Sequence, residues 1–111
     1  MIEHTIRINY LLDFYKMLLT DKQKFALEMY YQEDLSLVEI AQNLDVSRQA
    51  IYDLLKRGEG ILEEYEEKLQ LYSKYINRQE KADKIIEFIS ENIERNETKE
   101  KLIIRIQKLV D

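Results

Sequence analysis

Apolar residues recur at helical intervals from the start of the chain. In "HTIRINYLLDFYKMLL", residues 4 to 19, Ile6, Tyr10, Phe14 and Met17 fall on one stripe and Ile8, Leu12, Tyr15 and Leu19 on another. A helix apolar on two sides packs against more than one neighbour. It is expected between the following motif and the C-terminal region, or against a second copy. Thr20 and Asp21 are cap and first-turn residues for a second helix over 21 to 32, with Phe25, Leu27, Met29 and Tyr30 available to a core. "QEDLS" interrupts the pattern. Ser36 then caps a third helix, and Glu39 stands where a capping box needs it. Leu37, Ile40, Ala41 and Leu44 carry its buried face. After "LDV", Ser47 caps a fourth helix that starts at Arg48.

The fourth helix can run on past residue 57. Ile61, Tyr65, Leu69, Tyr72 and Ile76 recur at steps of four, four, three and four, a heptad-like seam that points to pairing of two copies. Gly58 and Gly60 lie just before it, where each costs a helix interior ~1 kcal/mol relative to Ala. They mark a bend or a close helix approach, and a bend is the preferred expectation. The pattern weakens around Asn77. A further helix carries Ile85, Ile86, Ile89 and Ile93, "ERNETKE" ends it, and Asn96 or Thr98 can start a last one bearing Leu102, Ile103, Ile106, Leu109 and Val110. Both are short for independent stability and must pack on the rest or on a partner. The expected architecture is all-α. A helix-turn-helix domain spans 1 to 60, and residues 61 to 111 form an extended helix with C-terminal helices, packed on the first part or on a dimer partner.

Two helices crossing steeply around a tight turn need a small residue at the crossing and apolar locks beside it. Ala41 is the small residue, and Ile40, Leu44, Val46, Ile51 and Leu54 are the locks, at the spacing of a helix-turn-helix. Asp45 takes the turn position that favours a left-handed backbone. If the second of these helices enters a major groove, its early exposed residues Arg48, Gln49, Tyr52 and Asp53 meet base edges. Arg pairs with guanine and Gln with adenine. Ser47 and the free amides of the first turn can hold a phosphate, and Lys56 and Arg57 can reach the backbone. The bland alternative is an ordinary solvated first turn.

Composition sharpens this in places. With 111 residues, 45% hydrophobic, no proline and two glycines, the chain is long enough for one core and has no run of strands. It has no cysteine and a single histidine, His4 near the terminus, so thiolate, disulfide, metal and catalytic chemistry find no foothold. Neither a cofactor nor a metal is expected. Glu63, Glu64, Glu66 and Glu67 read as a solvated helix face. Most of the eight tyrosines fall on apolar stripes, so core packing explains them better than base stacking. No apolar stretch reaches the ~20 residues needed to cross a bilayer, so a cytoplasmic protein is expected. Net charge is −5, with 17 basic and 22 acidic residues. Phosphate contacts supply most non-specific nucleic-acid affinity, so this balance counts against a tight stand-alone DNA binder.

"LTDKQKFALEMYYQEDLSLVEIAQNLDVSRQAIYDLLKRGEGIL", residues 19 to 62, resembles region 4 of the sigma-70 class, which reads the −35 promoter element. With "RINYLLDFYKMLLTDKQ" before it and "EEYEEKLQLYSKY" after it, the chain resembles the small bacterial YlxM/p13-like family over roughly residues 1 to 78. The resemblance implies a helix-turn-helix regulator, not an enzyme, encoded beside the signal recognition particle GTPases and serving or regulating that targeting pathway. The sigma-like comparison carries Arg48, Gln49 and Tyr52 over as recognition positions and Lys56 and Arg57 as flanking contacts. Tyr52 and Asp53 depart from the arginine-richer surface of region 4. Expected partners are therefore DNA, a second copy, and GTPase or RNA components of the targeting machinery. The competing expectation is a protein or RNA interaction module with no sequence-specific DNA binding.

Overall fold

A computed structural model describes residues 2–111. Among the described residues there are six α-helices and no strand: α1 (Ile2–Tyr15), α2 (Asp21–Tyr31), α3 (Leu37–Leu44), α4 (Arg48–Leu69), α5 (Leu71–Asn92) and α6 (Glu97–Val110), with a 3-10 turn at Lys16–Leu18 after α1. The fold is all-α, as the pattern requires. Two compact units divide it, one ending at Tyr72 and the other covering Ser73–Asp111. α4 crosses residue 60 without interruption.

In the first unit α4 is the spine, packed against α1, α2 and α3. The core is built on Ile8, Leu11, Leu12, Tyr15, Leu27, Ile40, Ile51 and Leu62, all fully buried. Of the two α1 stripes, the one through Ile8, Leu12 and Tyr15 is the inner face. Ile6 and Met17 of the other stripe are exposed, while Tyr10 and Phe14 are half-buried. α1 stops at Tyr15 instead of running to residue 19, because Thr20 must be extended (ψ 159°) to cap α2. The Thr20 hydroxyl accepts from the Gln23 amide and the Gln23 side chain accepts from the Thr20 amide. In α2 it is Ala26 and Leu27 that enter the core, whereas Phe25 and Tyr30 stay exposed.

The glycines do not bend α4. Gly58 is buried inside it, and a Cβ there would lie 2.8 Å from Leu27 Cδ1. The missing side chain lets α2 and α4 approach closely. Gly60 faces open space.

The real break in this region comes later, at Gln70, which adopts a left-handed conformation (φ 54°) and ends α4. Free amides at the start of α5 are satisfied from a distance. The Tyr15 hydroxyl accepts from the Leu71 amide at 3.0 Å, and the Glu66 carboxylate accepts from the Tyr72 amide at 3.0 Å. Tyr15 in turn donates to Glu66 at 2.7 Å. Burial and the Glu66 carboxylate push the Tyr15 phenol above the usual tyrosine range. The seam through Ile61, Tyr65, Leu69, Tyr72 and Ile76 is therefore divided between two helices. Tyr65 stacks on Tyr15 and Tyr72 on Tyr10, so both rings serve the first unit's own core. Ile61 is half-buried and Leu69 exposed; Ile76 belongs to the second unit.

The second unit is a helical hairpin. α5 runs through Asn77 without a break. Asn96 caps α6, its side chain accepting from the Lys99 amide at 2.9 Å. Lys99 Nζ donates to the carbonyls of Ser90 and Ile93, closing the end of α5. Only Ala82 and Ile89 are buried within it.

Candidate nucleic-acid interface

α3 and α4 form the two arms of the motif. Ser36 and Glu39 make the reciprocal capping box that starts α3, through bonds of 3.0 and 3.1 Å. Asp45 ends it in the left-handed region (φ 54°, ψ 49°), and the Val46 amide donates back to the Ala41 carbonyl at 3.0 Å. That six-to-one bond is a Schellman closure, and it turns the chain into Ser47. The Ser47 hydroxyl accepts from the Ala50 amide at 3.0 Å, which fixes the first turn of α4. Ala41 is buried at the crossing between Ile40 and Ile51. Val46 is exposed, and Leu55 goes deeper into the core than Leu54. The crossing is held by fewer locks than the spacing proposed.

Arg48, Gln49, Tyr52, Asp53, Lys56 and Arg57 are all exposed, as is the Ser47 cap. Arg48, Tyr52 and Lys56 follow at steps of four and share one side of α4. Lys56 Nζ stands 5.4 Å from the centroid of the Tyr52 ring, so the cation and the ring are held together. Gln49 Nε2 donates to Asp53 Oδ1 at 3.2 Å, which occupies one end of an amide that could read adenine. The amides of Arg48 and Gln49 precede the first i to i−4 bond of α4, so they point out of the helix at its positive end. Chemically the face offers three cations, a ring with a hydroxyl, one amide and one carboxylate.

Two of the acids that follow on α4 are held by partners on other helices. Glu59 accepts from the Tyr31 hydroxyl and contacts His4 Nε2 at 3.0 Å. Burial and Glu59 push the Tyr31 phenol well above the usual tyrosine range. Glu63 forms a two-bond pair with Arg7, at 2.7 and 2.6 Å, which holds its carboxyl below the ordinary range. His4 is thus a contact of α4, and Glu63 is a structural ion-pair partner and not an open solvated face. Periodicity carries no signal for these bonds, since their partners are 28 to 56 residues apart. A groove of about 230 Å³ beside the recognition face is lined by Tyr30, Tyr31, Leu37, Tyr52, Lys56 and the Glu59 carboxylate, among others. Tyr30, whose position in the apolar pattern of α2 points to the core, is instead exposed and faces this groove. Among the described residues no group of three or more His, Cys, Asp or Glu could hold a metal ion, and no helix is long and apolar enough to cross a membrane.

A small all-helical chain with a capped, left-handed corner and an outward second arm is a helix-turn-helix protein. Residues 2–106 match the family described as "Putative helix-turn-helix protein, YlxM / p13 like" (UPF0122). UPF0122 proteins of Bacillus cereus (strains AH187 and G9842) and Bacillus anthracis (strain A0248) are each 51% identical over 109 residues, covering 98% of this chain and 99% of theirs. The chain belongs to the UPF0122 family.

Proposed function

We propose that this is a non-catalytic regulatory protein of the cytoplasm, in which α4 makes salt-sensitive contact with duplex nucleic acid. The observation that carries the reading is the outward stripe Arg48, Tyr52 and Lys56, continued by Arg57, on an arm held at a fixed angle by Ala41, Asp45 and Ile51. Arg48 and Gln49 meet base edges in the major groove. Lys56 and Arg57 meet phosphates, and a further phosphate sits at Ser47 and the first-turn amides. The likeness of residues 19 to 62 to sigma-70 region 4 supports the same docking. Two copies would present paired arms to half-sites about 34 Å apart. With Tyr65 and Tyr72 engaged inside the first unit, the α4 positions left for such pairing are Ile61 and Leu69.

A gel-shift titration of duplex DNA at low salt tests this directly. Arg48→Ala combined with Lys56→Ala is expected to weaken binding without loss of helix content. Equal binding by wild type and the double variant would refute the assignment. Light scattering that shows only monomer would remove the paired arrangement.

A second reading is an interaction module of the signal recognition particle machinery, meeting one of its GTPases or its RNA. It is favoured by charge. Residues 1 to 72 hold 8 Lys and Arg against 14 Asp and Glu, a balance of −6 in the unit that bears the motif. The Gln49–Asp53 bond in the middle of the face points the same way. Binding to the targeting GTPase that survives Arg48→Ala and Lys56→Ala, with no duplex binding at low salt, would favour it.

A further inference from the structure

Most charges of α5 are sorted by side, Lys84 among the acids being the exception. Along α5, Lys74, Arg78, Lys81, Ile85 and Phe88 recur at steps of four, three, four and three, and all five are exposed. Glu80, Asp83, Glu87 and Glu91 take the other side, also exposed. On the cationic side, α5 and α6 enclose a groove of about 230 Å³. Ala82, Ile85, Ile106, Leu109 and Val110 line it, with Arg78 and Lys81 beside them. Its apolar lining is open to solvent, with Leu109 83% and Ile85 50% exposed. Among the described residues Lys74, Arg78 and Lys81 form no ion pair. The residues that meet across the groove, 78 to 85 against 106 to 110, come from the two arms of an antiparallel hairpin.

We infer that this groove is a docking site for an amphipathic helix of another protein whose apolar stripe is flanked by Asp and Glu. A trough between two antiparallel helices is shaped to take a third, with apolar side chains entering the seam. The hairpin buries only two residues of its own, so a third helix would supply the core it lacks. Lys and Arg on this one side select the sign of the flanking charge. A second copy applied through the same face is disfavoured, because a two-fold axis would set Arg78 and Lys81 against themselves. The site lies outside the recognition face of α4 and does not depend on nucleic-acid binding.

The test uses the full chain and a labelled synthetic helical peptide with Leu at the a and d positions and Glu at e and g. A twin peptide carries Lys in place of Glu. In fluorescence anisotropy the Glu peptide is expected to bind at least about tenfold tighter than its twin. Arg78→Glu with Lys81→Glu should reverse that preference, and Ile85→Asp with Leu109→Asp should abolish binding of both peptides. These four side chains are exposed or line an open groove, and circular dichroism checks that helix content is kept. Equal binding of the two peptides, or a preference unchanged by the charge reversal, overturns the inference. So does a dimer that Ile85→Asp converts to monomer, which would give the groove to a second copy. Tighter binding to phosphatidylglycerol vesicles than to the Glu peptide would overturn it in favour of a lipid surface.

Discussion

Tyr15→Phe removes one oxygen from the core and leaves its packing volume almost unchanged. That oxygen has two partners. It donates to Glu66 at 2.7 Å and accepts from the Leu71 amide at 3.0 Å. Glu66 is only 6% exposed, so water cannot readily replace the lost donor. A hydrogen bond to a charged acceptor contributes ~1.5–3 kcal/mol, and a neutral one roughly 1 kcal/mol. The Tyr72 amide remains on Glu66 and limits the damage. The expected loss is therefore about 3 kcal/mol, which at roughly 4 °C per kcal/mol for a domain near this size lowers Tm by about 12 °C. Glu66→Gln keeps an acceptor but removes the charge, and should cost about half as much. Urea unfolding followed by circular dichroism, with tyrosine fluorescence as a second probe, measures both. A loss below about 0.5 kcal/mol for Tyr15→Phe, within the range of an ordinary surface substitution, would show that the hydroxyl does not hold the junction at Gln70.

The two glycines of α4 should respond in opposite directions. Gly60→Ala meets nothing within 4 Å and is expected to stabilise the helix by about 1 kcal/mol. Gly58→Leu must displace Leu27 at a closed contact and should cost about 1–3 kcal/mol in the same urea titration. Stability should also fall at both ends of the pH scale. Tyr15 and Tyr31 have phenols raised above 10 in the fold, so their contribution is intact below about pH 10 and is lost as pH rises through the folded values. Glu63, lowered from 4.5 by Arg7, contributes above its unfolded value and loses that contribution as pH falls through the folded one. Arg7→Leu should flatten the part of the acid limb due to Glu63 and leave the alkaline limb unchanged in a series of thermal melts.

What could be read from the sequence was local. Thr20, Ser36, Ser47 and Asn96 cap helices through bonds spanning three residues, and Asp45 turns the corner within its own neighbourhood. Such bonds leave a trace in residue order. Gly58 was ambiguous because a bend and a close approach use the same residue, and only the position of Leu27 decides between them. The seam from Ile61 to Ile76 failed as a single stripe for a related reason. Glutamine carries no strong signal for a left-handed cap, and the groups that make the break at Gln70 favourable include Tyr15, 56 residues from the amide it accepts. On the candidate face, exposure of Arg48, Gln49, Tyr52, Lys56 and Arg57 followed from helix phase. The Gln49–Asp53 bond and the Lys56–Tyr52 contact depend on rotamers, which phase does not specify.

The salt dependence of duplex binding tests the central claim most directly. If Lys56 and Arg57 each neutralise one phosphate, the slope of log K against log salt is about −1.8, or roughly 12-fold weaker binding for a fourfold rise in salt. Arg48→Ala with Lys56→Ala should reduce that slope to about −0.9. No duplex binding at low salt, or a slope that the double variant leaves unchanged, would contradict the proposal that α4 is the arm that meets nucleic acid.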